Sequence, residues 1–296
     1  MLEPSQCHGS ESRGGGSMGY NVVFWSPVPG QTGSTSNLIA VSALLGLEYS
    51  SRILLLGSAQ SQAASLERAL VKRRDDAGSD PLYADIGVDA LERLIRNNKL
   101  LPEMLRDYTI PLLKERFDFL PGTIKPHKTF AAGAHDFLPQ MLLTAKRYYD
   151  LILIDAGSGA RQPLSQMLLQ NADAVVVSLN QNLSVLERFF AQNDWQQWLS
   201  GKPLLLVLGQ YDRYSVYTTR NIKRRFKLKS PLYQIAHSAG LMDAMQEGRV
   251  IDFMFRNQSV PKGHEHHFLM QGVRILAQAL IEQAGLNKPY FGGKGE

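Results

Sequence analysis

Apolar residues in this chain fall into short, nearly unbroken runs separated by longer stretches of helical periodicity, and the alternation continues from residue 20 almost to the end. Runs at 51–57, 149–155, 172–179 and 203–209 read as strands buried on both sides of a sheet, and shorter or more mixed runs at 20–27, 117–122 and 231–236 read as further strands. Between them, apolar positions recur every three or four residues. The spacing predicts helices after the first run (Leu38 to Leu45), at 61–74 with Leu66, Ala69 and Leu70 on one face, and at 86–98 with Ile86, Ala90 and Leu94 in line. Further helices are expected at 103–116, interrupted by Pro111, and at 135–147, 183–199, 215–226 and 267–284. Strands that alternate with helices predict an α/β fold: a doubly wound, mostly parallel sheet with helices on both faces, in three layers, with right-handed crossovers.

Residues 1–19 are Gly/Ser-rich and bury nothing, so they read as a disordered leader or an appended tail; the folded domain is expected over 20–286 and a flexible tail over 287–296. At 296 residues and 44% hydrophobic, the chain can build one large core. It has no uninterrupted apolar run of about 18 residues and no apolar signal-peptide core near residue 1, which points to a cytoplasmic protein, at most peripheral to an inner membrane through a partner. The single cysteine, Cys7, excludes an internal disulfide framework.

Candidate chemistry concentrates between the first strand and its helix. Gly30, Gln31, Thr32, Gly33, Ser34, Thr35 and Ser36 form a Gly/Ser/Thr turn feeding a helix, an arrangement that aims backbone N–H groups and the positive end of the helix dipole at one point, as a phosphate requires. Thr35 falls where a Mg²⁺-binding hydroxyl belongs, and Asp155 closes a wholly apolar strand, where an acid reaches the crevice at the sheet edge. Gly157, within Asp155-Ala156-Gly157-Ser158-Gly159, would let the backbone approach a terminal phosphate. Singly, such a turn is more often structural and such an aspartate is as often a helix N-cap; their order and spacing favour the nucleotide reading.

The loop, the 149–159 segment and the 172–177 strand together resemble the ParA/MinD family of deviant Walker A ATPases, across nearly all of residues 20–285. Within it, Ser26 to Gly33 and Tyr211-Asp212-Arg213-Tyr214-Ser215 are similar to TadZ/CpaE-like proteins, which help to place the Flp/Tad pilus machinery. The resemblance implies ATP or ADP with Mg²⁺ at the loop, a homodimer, and a protein partner in a localisation, secretion or pilus apparatus. It also marks departures. Pro29 and Ser34 stand where the family has its two loop lysines, and Gly57-Ser58-Ala59-Gln60 replaces the segment carrying a water-orienting aspartate. Loss of positive charge at the phosphates removes several kcal/mol of transition-state stabilisation, so slow or no hydrolysis is expected.

Two other functions stay open at this level. An active ATPase would need a cation from elsewhere, with Lys125, Lys128 and Arg161 as sources; a dinucleotide oxidoreductase would need G-x-G-x-x-G and an acid closing the second strand, where Gly57 stands instead. The basic run from Arg220 to Lys229 could meet DNA, an anionic surface or an acidic partner, but reads first as a solvated helix face. His264, His266 and His267 around Glu265 read as a polar cap before the last helix rather than a metal site. That helix, with Phe268, Leu269, Val273, Leu276, Leu280 and Ile281, reads as docked on the sheet rather than lying in a membrane.

Overall fold

The computed structural model describes residues 18–58, 60–72, 85–123, 125, 127–159, 162–191 and 195–286, with residues 60, 61, 127, 128 and 196 described by their backbone alone. Its strands are β1 (Tyr20–Ser26), β2 (Ile53–Gly57), β3 (Ile110–Leu113), β4 (Phe117–Leu120), β5 (Leu151–Ser158), β6 (Ala174–Leu179), β7 (Leu204–Tyr211) and β8 (Leu232–Ala236). They lie in one sheet in the order β3-β4-β2-β5-β1-β6-β7-β8, parallel at every junction but β3–β4. The doubly wound α/β sheet expected from the pattern is therefore present.

The pleat divides each central strand between two cores. Val23, Trp25, Ile152, Ile154 and Val177 face one layer and meet Leu91, Phe137, Leu164 and Leu186. Those side chains belong to the helices α3 (Val88–Arg96), α4 (His127–Ala145), α5 (Pro163–Gln170) and α6 (Leu183–Ala191); α7 (Gln196–Leu199) adds Trp198. Val22, Phe24, Leu151, Leu153 and Val207 face the other layer, against Leu38, Leu66, Leu241, Met254 and Leu276. Here α1 (Ser34–Glu48), α2 (Gln60–Leu70), α9 (Ala239–Gln246), α10 (Val250–Arg256) and α11 (His267–Gln283) cover the sheet. Helix α11 docks as expected, and closely: a Cβ on Gly272 would lie 2.3 Å from the Gln234 carbonyl oxygen of β8.

Several local expectations are corrected. Residues 103–116 do not form a helix. Pro102–Tyr108 tightens into a 3-10 turn, and Pro111 sits in β3, an edge strand, where its missing N–H deprives no neighbour. Helix α4 starts at His127 rather than 135, its Phe130 and Ala134 continuing the buried stripe of Phe137, Leu138 and Met141, and it carries Pro139 inside. Helices α9 and α10 were not anticipated, although Leu241 with Ala244 and Val250 with Met254 stand at helical spacing; each helix spans only two turns or so, too short for the pattern to stand out. The expected 183–199 helix is represented by α6 and α7, with 192–194 outside the described residues, and the 215–226 helix shortens to α8 (Thr219–Arg225).

Candidate functional site

Strand β1 delivers the chain into the loop, and hydroxyls close that loop on itself. Ser26 Oγ donates to the Val28 carbonyl at 2.8 Å and accepts from Thr32 Oγ1 at 2.8 Å, with both residues buried. From the next strand, Asn180 Nδ2 donates to the Gln31 carbonyl at 3.1 Å. Gly30 and Gly33 take φ values of 70° and 64°, in the left-handed region that glycine enters without strain. Gly33 is the N-cap of α1 and supplies no side-chain acceptor, so the first N–H groups of a 15-residue helix face the concavity of the loop without intrahelical partners.

At the start of α1 the two hydroxyls differ. Thr35 Oγ1 donates to Asp155 Oδ2 at 2.6 Å. Ser34 Oγ is enclosed and has no hydrogen-bond partner among the described residues.

Asp155 lies in β5, opposite Phe24 of β1 and Gly57 of β2, so the two central neighbours wall it in. It is fully buried, and burial pushes its carboxyl above the usual carboxylate range; the hydrogen bonds from Thr35 and from the Gly157 N–H, the latter at 2.9 Å to Oδ1, pull the other way. The segment beyond it is pinned to the end of β1: Gly159 N–H donates to the Ser26 carbonyl at 2.8 Å, and Trp25 Nε1 donates to the Gly159 carbonyl at 3.0 Å. Gly157 has φ 70°, and a Cβ there would lie 2.7 Å from Gln62 Nε2, so the missing side chain makes room for that amide.

The proposed sources of positive charge do not converge here in what is described. Lys125 is held by Glu92 at 2.6 Å and Asp89 at 3.9 Å. Arg161, the Lys128 side chain and Ala59 lie outside the described residues. The arrangement thus offers two hard oxygen ligands, Thr35 Oγ1 and Asp155, beside backbone donors. That set fits Mg²⁺ and phosphate, and among the described residues it carries no cation to meet charge that grows during phosphoryl transfer.

Sequence reasoning missed Gln210, Asn180, Gln62 and the Ser26–Thr32 pair. Gln210 ends near the loop with φ 52°, an unusual conformation for a residue with a Cβ; its side chain rests on Gly33, where an added Cβ would be 2.8 Å from Nε2, and its Oε1 lies 2.6 Å from His237 Nδ1. Polar residues directly after apolar strands, as in Ser178-Leu179-Asn180-Gln181, were the available signal. Of the remaining sequence candidates, His266 occupies the N-cap position of α11 without a capping bond, and no group of three or more metal-ligating side chains occurs among the described residues.

Comparison of the whole fold decides its kind. A ParA family ATPase from Chlorobium tepidum TLS superimposes with TM-score 0.65 at 13% identity, covering 89% of this chain and 99% of that one. The septum site-determining protein MinD of Pyrococcus horikoshii OT3, complexed with Mg-ADP, gives 0.62 at 19% identity, covering 91% and 98%. The MinC:MinD cell division complex of Aquifex aeolicus gives 0.60 at 15% identity, covering 89% and 96%.

The chain has the ParA/MinD fold.

No protein-family model matches the sequence, and no curated protein matches it by sequence. Against the oxidoreductase alternative, the ParA/MinD-type sheet leaves Gly57 no space for a ribose-binding acid: a Cβ there would lie 2.5 Å from the Ala63 backbone nitrogen. Among the described residues no helix is long and apolar enough to cross a membrane.

Proposed function

We propose that this chain is a ParA/MinD-like, nucleotide-responsive positioning or scaffold protein whose loop, Gly30 to Ser36, holds the phosphates of ATP or ADP while hydrolysis is slow or absent. The observation that carries this reading is the Thr35–Asp155 contact at the N-terminus of α1, a hydroxyl and a carboxylate paired where Mg²⁺ would bridge to phosphate. Gly157, two residues on, donates its N–H to that carboxylate and has the conformational freedom to approach a terminal phosphate. Residues 20–286 act as a single domain in this reading, between the 1–19 leader and the 287–296 tail.

A ligand that binds one conformation better than another shifts the equilibrium without turnover, so a loop lacking lysine at 29 and 34 is compatible with a switch. The finer part of the proposal follows the TadZ/CpaE-like resemblance of Ser26 to Gly33 and Tyr211 to Ser215: a homodimer in the cytoplasm that recruits a partner of the Tad/Flp pilus apparatus. Titration calorimetry with ATP and ADP, with and without Mg²⁺, tests the central claim. Binding at millimolar ligand or below is expected, with Mg²⁺ strengthening it and phosphate release near the uncatalysed rate. Absence of heat with either nucleotide would reduce the chain to a scaffold, and turnover abolished by Asp155→Asn would assign an ATPase that imports its cation.

A further inference from the structure

Residues 212–229 carry seven lysines and arginines against one acid, Asp212, so this segment alone holds more net positive charge than the +5 of the whole chain. It also holds the two most exposed large apolar side chains among the described residues. Tyr214 is 80% exposed, Val216 73% and Tyr217 36%, all within four residues of the loop between β7 and α8. Isolated exposed apolar residues need no explanation, but three together at one tip do.

The tip is built to stay out. Gln181 grips the base of the loop: its Nε2 donates to the carbonyls of Asp212 at 3.0 Å and Tyr217 at 2.9 Å, and its Oε1 accepts from the Asp212 N–H at 2.8 Å. Asp212 Oδ1 accepts from the Tyr214 N–H at 2.9 Å, and Asn221 Nδ2 donates to the Val216 carbonyl at 2.7 Å, tying the loop to α8. Arg213 stacks over the Tyr214 ring at 4.9 Å. On α8 only Ile222 is buried. Arg220 and Arg224, four residues apart, share an exposed face, and Lys227 and Lys229 continue it, whereas Arg225 is neutralised by Glu187 at 2.9 Å.

We propose that the 212–217 loop and α8 form a docking surface for an anionic lipid membrane. An exposed apolar loop flanked by cations matches a surface that is hydrocarbon beneath and negative at its face. Nucleic acid would engage the cations and could stack on tyrosine, but it offers Val216 no gain over water. A second copy of this face would bring like charge against like charge. The proposal does not depend on the nucleotide reading.

Flotation of the full chain with vesicles tests it. The protein is expected to float with phosphatidylcholine vesicles containing phosphatidylglycerol and to stay behind with phosphatidylcholine alone, and added salt should weaken binding. Arg220→Ala with Arg224→Ala should lower affinity roughly fivefold per cation removed. Tyr214→Ser with Val216→Ser leaves the charge intact, so a comparable loss of binding in that variant separates insertion from simple adsorption. All four side chains are exposed, and an unchanged melting curve confirms that the variants fold. Failure to float, indifference to the Tyr214/Val216 change, or retention on duplex DNA without flotation would each overturn the proposal.

Discussion

Thr35 Oγ1 and Asp155 Oδ2, 120 residues apart in sequence, meet at 2.6 Å in the interior of the carboxyl edge of the sheet. Because the carboxylate is fully buried, losing this donor leaves it with the Gly157 N–H as its remaining described partner. Thr35→Ala is expected to cost about 1–3 kcal/mol of stability, read as a lowered midpoint in chemical denaturation. The same change should abolish any strengthening of nucleotide binding by Mg²⁺ seen in calorimetry.

The buried Asp155 carboxyl sets a pH dependence. Its folded pKa is raised, chiefly by burial, so its favourable contribution is complete below the unfolded value and is lost as pH rises through the folded one. Replacing it by an uncharged isostere removes that loss. Asp155→Asn should therefore gain thermal stability relative to the parent as pH goes from about 4 to about 7, opposite to the usual behaviour of an ion-paired aspartate. Melting of both proteins across that range checks the sign, and a difference that shrinks with pH contradicts it.

Ser34 Oγ is enclosed without a partner among the described residues, and in the proposed reading it stands where a loop lysine would. Ser34→Lys should place an ammonium at the phosphates and raise affinity for ATP by roughly 1.5–3 kcal/mol, the range for hydrogen bonds to charged groups. Calorimetry on parent and variant decides it. An unchanged dissociation constant would mean that the loop does not receive phosphate in this register.

Gly272 lets α11 lie against β8. An added methyl would meet the Gln234 carbonyl oxygen at 2.3 Å, and both partners are backbone-fixed. Gly272→Ala is expected to destabilise by about 1–3 kcal/mol through overpacking, despite the better helix propensity of alanine. Denaturation midpoints measure it; a stabilised variant would mean that the helix shifts freely on the sheet.

Asn180 and Gln181 are adjacent, yet the first holds the Gln31 carbonyl of the 30–36 loop and the second holds the loop that begins at Asp212. Gln181→Ala should free the 212–217 loop without disturbing the core. Amide exchange at Asp212 should speed up about fivefold, the equivalent of roughly 1 kcal/mol for a lost hydrogen bond. Unchanged protection there would show that Gln181 does not hold the loop.

What the sequence by itself determined was the layering. Aliphatic runs such as 151–154 and 174–177 have no polar face, and only a sheet covered on both sides can bury them. The turn between β1 and α1 was legible for a similar reason, since Gly30 and Gly33 announce a left-handed local conformation ahead of a helix. Residues 103–116 were misread because a proline in an apolar stretch does not reveal whether it breaks a helix or borders a sheet; the position of β3 at the edge decided that. Only the tertiary structure decided which groups meet. It set Thr35 on Asp155, left Ser34 without a partner, laid Gln210 over Gly33 and pinned an apolar, basic loop outward through Gln181. Those contacts arise from strand register and long-range packing, and local periodicity carries no record of which distant residues a register brings together.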